Sequence, residues 1–518
     1  MRINQANIFK NAAYRMKSSS EVKNKLHTEK YLHIHDKEYY NVTYNCLGVE
    51  FKSEIIENLT CEENLENNLD KLFEEISNLT NEQSGGIGYI NIDKDLSKVF
   101  EFVPIEKAIR EVRRFFRKLN LPLRNGYEKA YITFNLGLDE SIGGKKVIES
   151  FLMALKLGNI ENSEPFIFPN IVFKVKKEVN RKLLNMAASI SGIRMNPTYF
   201  NCDSKNLFGI DSDKVGIMGC RTLLVKNING EDGGLRRGNI AAISINLPKI
   251  ALESNNLDMF FNKLKFICNE SKEILLDRYK VLCNCSLEDM NYIIKNNLYL
   301  GSEKAKKLED IFSNGTLSIG FIGLYDAISY LKKQEIDLNF IRENVKFGEE
   351  ILKFMRGLTD SYSEKYKLNF SLLGSSGEGI SKRFTQGDKE FYTNSFHVPV
   401  NIEISPFEKL KIESRFVKYC NGGEISYIEF KTPVIINQEA IIDVLDYAIS
   451  QEHIYIGINF PLDFCSDCKT TGVFKNNCCD KCQSENIKRI RRVSGYLSLK
   501  ENLNEGKKAE EKARISHL

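Results

Sequence analysis

Four cysteines towards the carboxyl end of the chain have the spacing of a metal site. Cys465 and Cys468 form one Cys-x-x-Cys pair, Cys479 and Cys482 form a second, and ten residues separate the two pairs. Two tight turns of this kind can face each other and offer four thiolates in a tetrahedron, which is the arrangement that Zn²⁺ prefers. A site closed by four thiolates is structural rather than catalytic, so the pattern predicts a structural zinc that holds together a segment too small to fold on its own core.

Other interpretations of this segment remain open. Cys478 could replace Cys479 as a ligand, although only Cys479 has the two-residue spacing to Cys482. An iron-sulfur cluster or a redox dithiol could also use these thiols. The basic run KRIRR (488–492) would suit a zinc-ribbon module that binds nucleic acid through its phosphates. However, 73 basic against 69 acidic residues leave a net charge of only +4, too little to make nucleic acid the expected partner.

Composition indicates a globular protein of the reducing interior of a cell. The chain has 518 residues, of which 42% are apolar and 27% charged. The first twenty residues contain no apolar signal-peptide core, and no apolar run is long enough to span a membrane, so we expect a cytoplasmic protein without a membrane partner. The thirteen cysteines would stay reduced there, which favours metal binding and thiol chemistry over disulfides.

The elements that must position these residues alternate between helices and strands. Residues 102–119 have the apolar spacing of an amphipathic helix, with Pro104 near its start and basic residues at its end. Short β-rich runs recur along the chain, several of them apolar on both faces, at 130–138, 165–175, 239–247, 317–324, 392–400 and 453–460. This alternation predicts an α/β architecture around a central sheet or barrel, comprising residues 1–460, with a separate module at 461–518.

The segment RVSGYL (492–497), whose glycine lies thirteen residues past Cys482, resembles the signature that surrounds a glycyl radical. Together with the four-cysteine site, it resembles the anaerobic (class III) ribonucleotide reductases. Further segments resemble the same family in the same order, and they extend over nearly the whole chain: HIHD (33–36), NC (45–46), TFNLGLD (133–139), IFPNIVF (167–173), MGCR (218–221), ISINLPKIALE (243–253), SNGTLSIGFIGL (313–324), FSLL (370–373), YTNSFH (392–397) and NGGE (421–424).

The resemblance implies a ten-stranded α/β barrel of the glycyl radical enzyme type, made of two five-stranded halves antiparallel to each other. It implies an oxidoreductase that converts ribonucleoside triphosphates to 2′-deoxyribonucleoside triphosphates for DNA replication. Gly495 would store the unpaired electron, because a radical on Cα is stabilised by its flanking amides only if that carbon can flatten, and a side chain would oppose this. The family often has cysteine before this glycine, where this chain has Ser494.

Two cysteines and one asparagine receive roles from the same resemblance. Cys220, in the segment that resembles the family's finger-loop tip, is expected to form the thiyl radical that takes hydrogen from ribose C3′. Cys46 is expected to donate hydrogen on the opposite ribose face. Asn239 resembles the amide that binds the ribose hydroxyls, with Asn246 as the competing candidate. Taken alone, a buried cysteine is more often a small apolar core residue.

Four further residues resemble the family's phosphate-binding loop, in which backbone N–H groups at a helix N-terminus hold the substrate phosphates. The segment that resembles this loop runs from Gly374 to Glu378, its substrate-binding candidates are Gly374, Ser375, Ser376 and Gly377, and the family more often has Thr-Pro at the two serines. The alternative is a flexible surface loop. The histidines of HIHD have no further ligands spaced to complete a metal site, so we expect a structural hydrogen-bonding role, and the glycine-rich stretch 85–88 is weak evidence for nucleotide contact.

The resemblance also implies partners. A radical-SAM activase, using S-adenosylmethionine and a [4Fe-4S] cluster, would install the glycyl radical, and formate or a thioredoxin-like protein would be the reductant. We further expect nucleotide effectors, a homodimer and strictly anaerobic activity. HIHD begins at residue 33, which leaves no room for the family's N-terminal ATP-cone. The rival hypotheses are another glycyl radical enzyme, acting as a lyase or dehydratase on a small molecule, and a non-enzymatic zinc-ribbon protein that binds nucleic acid.

Overall fold

Helices alternate with strands along most of the chain in a computed structural model, which describes residues 21–36, 43–124, 128–178, 180–492 and 495–517. Its α-helices are α1 (Glu21–Thr28), α2 (Cys61–Glu82), α3 (Ile92–Phe100), α4 (Ile105–Leu119), α5 (Ile142–Leu157), α6 (Arg181–Arg194), α7 (Leu247–Leu252), α8 (Leu257–Cys283), α9 (Asn291–Lys295), α10 (Glu309–Phe312), α11 (Leu324–Lys332), α12 (Leu338–Tyr366), α13 (Ile380–Arg383), α14 (Pro406–Val417), α15 (Glu439–Ser450) and α16 (Glu505–Ala513). Short 3-10 helices lie at Lys205–Leu207, Ser212–Lys214, Leu287–Met290, Ser302–Lys304 and Lys500–Asn502.

The strands form one large sheet, one small sheet and a hairpin. They are β1 (Leu32–Ile34), β2 (Cys46–Val49), β3 (Gly86–Tyr89), β4 (Pro122–Arg124), β5 (Glu128–Lys129), β6 (Tyr131–Leu136), β7 (Asn170–Val175), β8 (Thr198–Asn201), β9 (Gly238–Asn246), β10 (Thr316–Ile322), β11 (Asn369–Gly374), β12 (Ser426–Glu429), β13 (Tyr455–Asn459), β14 (Leu462–Cys465), β15 (Thr471–Gly472), β16 (Ile487–Arg492) and β17 (Leu497–Leu499). The large sheet has the order β11-β10-β9-β2-β3-β6-β7-β8-β13-β12, with β1 beside β9.

This order contains the two antiparallel halves of the predicted barrel. Strands β2, β3, β6, β7 and β8 run parallel to one another. Strands β9, β10 and β11 are parallel, as are β12 and β13, whereas the junctions β2–β9 and β8–β13 are antiparallel. Between β11 and β12 the gap is bridged because Gly374 N donates to Gly423 O and Gly422 N donates to Leu372 O, each at 2.9 Å. The predicted α/β barrel fold is thereby confirmed.

Burial on both faces explains the apolar composition of the barrel strands. Every residue of β7, β9 and β10 is buried, as parallel strands covered by helices require. The helix predicted at 102–119 is α4, which begins later, at Ile105, because Pro104 is its N-cap; Arg117 and Lys118 lie in its last turn.

One predicted strand is wrong, the one at 392–400. Its backbone groups are used elsewhere, since Thr393 O and Ser395 O accept from Gly323 N and Leu324 N at the start of α11. The segment is therefore a buried loop, and its apolar residues reflect burial rather than sheet pairing.

A second, smaller sheet follows β13, with the order β15-β14-β16-β17. Helix α16 then runs back towards the barrel, where Ile515 N donates to Val400 O and His517 N donates to Glu429 O, both at 2.8 Å. No helix in the described part of the chain has the length and apolar character needed to cross a membrane.

Candidate active site

The segment between β8 and β9, residues 202–237, enters the barrel as a finger loop. Asn135 of β6 holds it from one side, because its amide donates to Ile217 O at 3.0 Å and accepts from Ile217 N at 2.8 Å. Thr133 Oγ1 donates to Gly219 O at 2.6 Å, and Met218 pairs with Thr222 in an antiparallel bridge. Cys220 is therefore held at the tip of a tight turn inside the barrel.

Close approach between this loop and β3 explains the glycine-rich stretch 85–88. A Cβ on Gly86 would lie 2.4 Å from Gly219 Cα, and one on Gly88 would lie 2.6 Å from Ile217 O. No side chain fits at either position. These glycines thus make room for the finger loop, and nothing in the described structure assigns them to a nucleotide.

Gly495 lies against Cys220, although the two residues are far apart in the chain. Gly495 is buried, and a Cβ built on it would lie 2.8 Å from Cys220 Cβ and 3.4 Å from Cys220 Sγ. The carbonyl of Gly495 accepts a hydrogen bond of 3.2 Å from the hydroxyl of Tyr427 on β12. The next residue, Tyr496, stacks on Tyr131 of β6, with ring centroids 4.9 Å apart. Ser494 lies outside the described residues.

Cys46 stands at the start of β2, directly opposite Asn239 of β9 in the antiparallel register. Its Sγ donates to Asn45 Oδ1 at 3.0 Å, accepts from Gly86 N at 3.4 Å and lies 3.7 Å from Thr222 Oγ1, next to the finger-loop tip. The structure thus brings Cys46 and Cys220 to the same part of the barrel interior.

Burial keeps both thiols protonated. It raises the pKa of Cys46 to about 12, against smaller opposing effects of its hydrogen bonds from Gly86 and Thr222. Burial also raises the pKa of Cys220, although the neighbouring Arg221 opposes this. A neutral S–H group is the form that can donate or lose a hydrogen atom, so both sites suit radical chemistry better than nucleophilic chemistry.

The two candidate asparagines occupy different places. Asn239 is buried among polar groups beside Cys46, with its amide 2.9 Å from the hydroxyl of Ser318 and 3.3 Å from Asn45 Oδ1. Asn246 lies at the other end of β9, where it caps α7 by accepting from Lys249 N and donates to the carbonyls of two neighbouring segments. The geometry favours Asn239 as the one near the cysteines.

The loop Gly374–Gly377 follows β11 and lies beside the finger-loop tip. Arg221 Nη1 donates to Gly374 O at 3.4 Å and to Ser375 O at 3.5 Å. The Ser375 hydroxyl is buried and lies 2.6 Å from Ser244 Oγ, whereas Ser376 is half-buried. Gly377 has a φ of +61°, a conformation that glycine adopts most readily.

The HIHD residues have hydrogen-bonding roles. His35 Nε2 lies 2.8 Å from Ser244 Oγ, and Asp36 accepts from Asn45 Nδ2 at 2.6 Å and from Ser84 Oγ at 2.8 Å. Asp36 thereby holds the residue that precedes Cys46. His33 packs edge-on against His35, with ring centroids 4.9 Å apart.

Sequence reasoning gave no individual role to two residues that contact the Gly495 segment. Besides Tyr427, these include Glu378, whose Oε1 lies 2.8 Å from the position of a Cβ on Gly495. Glu378 directly follows the Gly374–Gly377 loop, and this adjacency is the one signal that could have identified it. Tyr427 gave no signal, because a single buried tyrosine in a strand is common; neighbouring β13 also has one, Tyr455.

The four cysteines of the small sheet converge. The ligand atoms of Cys465, Cys468, Cys479 and Cys482 all lie within 4.8 Å of one another, with Cys465–Cys482 and Cys468–Cys479 Sγ distances of 3.6 and 3.5 Å. Four Zn–S bonds of about 2.3 Å in a tetrahedron place the sulfurs about 3.8 Å apart, so the group fits zinc. Cys478 is not in this cluster, and its Sγ faces Gln483 Oε1 at 3.6 Å.

Comparisons with known proteins agree with this geometry. The profile of the family "Anaerobic ribonucleoside-triphosphate reductase" matches residues 1–517. The anaerobic ribonucleoside-triphosphate reductase of Escherichia coli (strain K12) is 30% identical over 457 residues, which cover 80% of this chain and 62% of that protein. The protein of the same name from Enterobacteria phage T4 is 28% identical over 429 residues, or 74% of this chain and 67% of its own.

A crystal structure of the anaerobic ribonucleotide reductase from Thermotoga maritima, in complex with dATP and CTP, has the same fold. It is similar with a TM-score of 0.72 at 16% identity, covering 95% of this chain and 85% of its own. The chain spans 62% of the length of the Escherichia coli relative.

Proposed function

Because the chain belongs to the anaerobic ribonucleoside-triphosphate reductase family, we propose that it reduces ribonucleoside triphosphates to 2′-deoxyribonucleoside triphosphates by glycyl and thiyl radical chemistry. The observation that carries this proposal is the contact between Gly495 and Cys220 inside the barrel. A hydrogen atom can pass between two atoms only if they approach to van der Waals contact, and this pair does so without any flexible side chain between them.

The proposed reaction begins with a radical on Gly495. The glycyl radical takes hydrogen from Cys220, and the resulting thiyl radical takes H3′ from the bound ribonucleotide. Cys46 then donates hydrogen while the 2′-hydroxyl leaves as water, and formate, or a thioredoxin-like protein, completes the reduction. The position of Cys46 beside Thr222, two residues from Cys220, supports this division of labour.

Substrate binding is proposed to use groups around the two cysteines. Asn239 would bind the ribose hydroxyls, since its amide lies opposite Cys46 in the sheet. The backbone N–H groups and hydroxyls of Gly374, Ser375, Ser376 and Gly377 would hold the phosphates. Arg221 contacts this loop by donating hydrogen bonds to the carbonyls of its first two residues, Gly374 and Ser375.

Zinc would be held by Cys465, Cys468, Cys479 and Cys482, and it would supply a structural link and no chemistry. The cluster lies in the sheet whose strands β16 and β17 flank Gly495. We call the segment between these two strands the glycyl loop, and the metal would fix its base. Nothing in the proposed reaction passes through this site.

We propose that a partner installs the radical by removing a hydrogen atom from Gly495, which is buried in this structure. We propose a radical-SAM activase that uses S-adenosylmethionine and a [4Fe-4S] cluster. We also propose nucleotide effectors, a homodimeric assembly and a cytoplasmic, anaerobic setting in which the thirteen cysteines stay reduced.

The decisive experiment is anaerobic incubation with the activase and S-adenosylmethionine, followed by electron paramagnetic resonance and then by assay with CTP or ATP plus formate. We expect a glycyl radical signal and deoxynucleotide formation, both absent from Gly495→Ala, which should retain its zinc and its fold. A radical without any deoxynucleotide would favour a different glycyl radical reaction on a small molecule. DNA binding that weakens with salt, without a radical, would favour the nucleic-acid-binding alternative.

A further inference from the structure

The carboxyl group of Glu378 and the thiol of Cys220 both lie next to Gly495. Its Oε1 and Cys220 Cβ each lie 2.8 Å from the position that a Cβ on Gly495 would take, and Cys220 Sγ lies 3.4 Å from the same point. One hydrogen of Gly495 Cα therefore points between a carboxyl and a thiol. The backbone of Glu378 is fixed by Asn504, whose Nδ2 donates to Glu378 O at 2.8 Å.

Exchange of a hydrogen atom between Gly495 and Cys220 requires the thiol form of Cys220. In the exchange, the S–H bond breaks and a Cα–H bond forms, so that one proton and one electron leave sulfur together. The glycyl radical is reduced to glycine and the thiol is oxidised to a thiyl radical. A thiolate has an electron to give but no proton, and it would leave a carbanion at Cα. Ionisation of Cys220 would therefore stop the exchange.

Charged groups of opposite sign face this thiol from different elements. Arg221, beside it on the finger loop, lowers the pKa of Cys220, and Glu378 on the loop after β11 raises it, after burial as the largest cause. The other titratable groups that face Cys220 are Cys46 of β2, Tyr427 of β12 and Tyr496 of the glycyl loop, which are all neutral near pH 7. Glu378 itself is faced by Arg221 and by Lys507 of α16.

We propose that Glu378 is a positioning residue that keeps Cys220 in its S–H form, against the charge of Arg221, while hydrogen moves between Cys220 and Gly495. This role deepens the proposed function and depends on it. Arg221 donates to the carbonyls of Gly374 and Ser375 in the proposed phosphate-binding loop, which keeps its positive charge beside the thiol, and the nearby carboxylate of Glu378 offsets that charge. A carboxyl is more acidic than a thiol, so its negative charge is present in the alkaline range where the thiol begins to ionise.

The test compares the pH dependence of deoxynucleotide formation in the activated parent and in Glu378→Gln. Glutamine keeps the shape and removes the charge, so the pKa of Cys220 falls and the alkaline loss of activity begins about one pH unit lower than in the parent. Glu378→Asp, which keeps the charge, should resemble the parent. Glu390→Gln, which neutralises an exposed carboxylate elsewhere, is the matched control.

Identical alkaline limbs in parent and Glu378→Gln would overturn the inference, as would a rate lowered equally at every pH. A second measurement needs no turnover: alkylation of Cys220 by iodoacetamide, followed by peptide mapping, reports on its thiolate in the unactivated protein. Glu378→Gln should be alkylated at lower pH than the parent, and an unchanged profile contradicts the role. If the activated parent shows no radical and no product, the proposed function fails, and the alkylation result still decides this inference.

Discussion

At the scale of single residues, glycines determine how closely the finger loop and the glycyl loop reach the cysteine pair. Gly495 leaves room for Cys220 on one side, and Gly86 of β3 leaves room for Gly219 on the other. Because Cys220 lies between these contacts, a side chain at either glycine would displace the thiol. Placement of the sulfur thus depends on backbone packing as well as on the hydrogen bonds of Cys220 with Arg221 and Ser376.

Gly86→Ala should therefore impair catalysis without touching any reacting group. Its Cβ would lie 2.4 Å from Gly219 Cα and 3.0 Å from the Tyr496 hydroxyl, so the finger-loop tip must move. A shift of about 1 Å in a reacting group costs on the order of 100-fold in rate. The measurement is deoxynucleotide formation by the activated protein, normalised to its glycyl radical content.

Gly357→Ala is the matched control for this substitution. Gly357 lies within α12, where a Cβ would meet nothing within 4 Å. We expect unchanged turnover and a gain of about 1 kcal/mol in stability, because alanine is the better helix former. Equal losses in both variants would show that finger-loop placement is not what Gly86 protects.

At the scale of elements, the small sheet that carries the four cysteines and the glycyl loop form one continuous unit. Strand β14 ends at Cys465 and pairs with β16, and β16 ends at Arg492, shortly before Gly495. The loop then returns as β17, which pairs with β16. Any loosening of the cysteine cluster would therefore be transmitted to the base of the glycyl loop.

Cys468→Ser should abolish zinc binding and reduce the yield of glycyl radical. Cys478→Ser should do neither, because Cys478 lies beside the cluster without joining it. Atomic emission of the purified protein measures the metal, and electron paramagnetic resonance after activation measures the radical. Loss of zinc in Cys478→Ser would mean that this thiol, and not Cys479, completes the site.

His453, just before β13, is fully buried and contacts α14. Its Nε2 lies 2.8 Å from the carbonyl oxygen of Leu410 in that helix. Burial lowers the pKa of His453 to about 4, so this residue stays neutral in the folded protein. In the unfolded chain it is protonated below about pH 6.5. The contribution of neutral His453 to the free energy of unfolding is therefore complete above about pH 6.5, and it is lost as the pH falls towards 4.

When the pH is lowered from 7 to 5, protonation linked to His453 alone should reduce the free energy of unfolding by about 2 kcal/mol. The urea midpoint of the parent should fall over that range, and His453→Gln should fall by less, since glutamine does not titrate. Circular dichroism at the two pH values measures both midpoints. An identical decrease in parent and variant would assign the acid sensitivity to other groups.

At the scale of the whole molecule, the tail that follows Gly495 is anchored to the barrel. Lys507 and Glu510 form a buried ion pair of 2.6 Å, and Arg514 pairs with Glu510 at 3.0 Å and also with Glu429 of β12. His517 N also donates to Glu429 O, so the tail is attached at several points between Lys507 and His517. The barrel, the glycyl loop and the tail thus close around one buried position.

Exposure of the activated protein to air should cut the chain at Gly495, because a carbon-centred radical reacts with O₂ and the backbone then breaks. Mass spectrometry should find a peptide derived from residues 496–518. Under native conditions the tail contacts should retain this peptide, so that it separates only on denaturation. Unactivated protein and activase-treated Gly495→Ala should both stay intact, and cleavage in either would place the radical elsewhere.

Much of the barrel follows from local pattern alone. The runs that became β6, β9, β10 and β13 are short and rich in apolar residues, and such runs are typical of buried strands. The same reasoning is wrong for 392–400, because burial produces an apolar run whether or not the backbone pairs with a neighbouring strand. The spacing of the four cysteines likewise predicts their cluster, since both pairs are local turns.

What the sequence determined by itself is therefore several of the barrel strands, the four-cysteine cluster and, through resemblance, the residues Gly495, Cys220 and Cys46. Only the tertiary structure decided that the glycine meets the cysteine and that Glu378 and Tyr427 join them. The physical reason is that these contacts connect four separate segments across the closed barrel. No local pattern records which side chains will share one interior once the two halves of the sheet have come together.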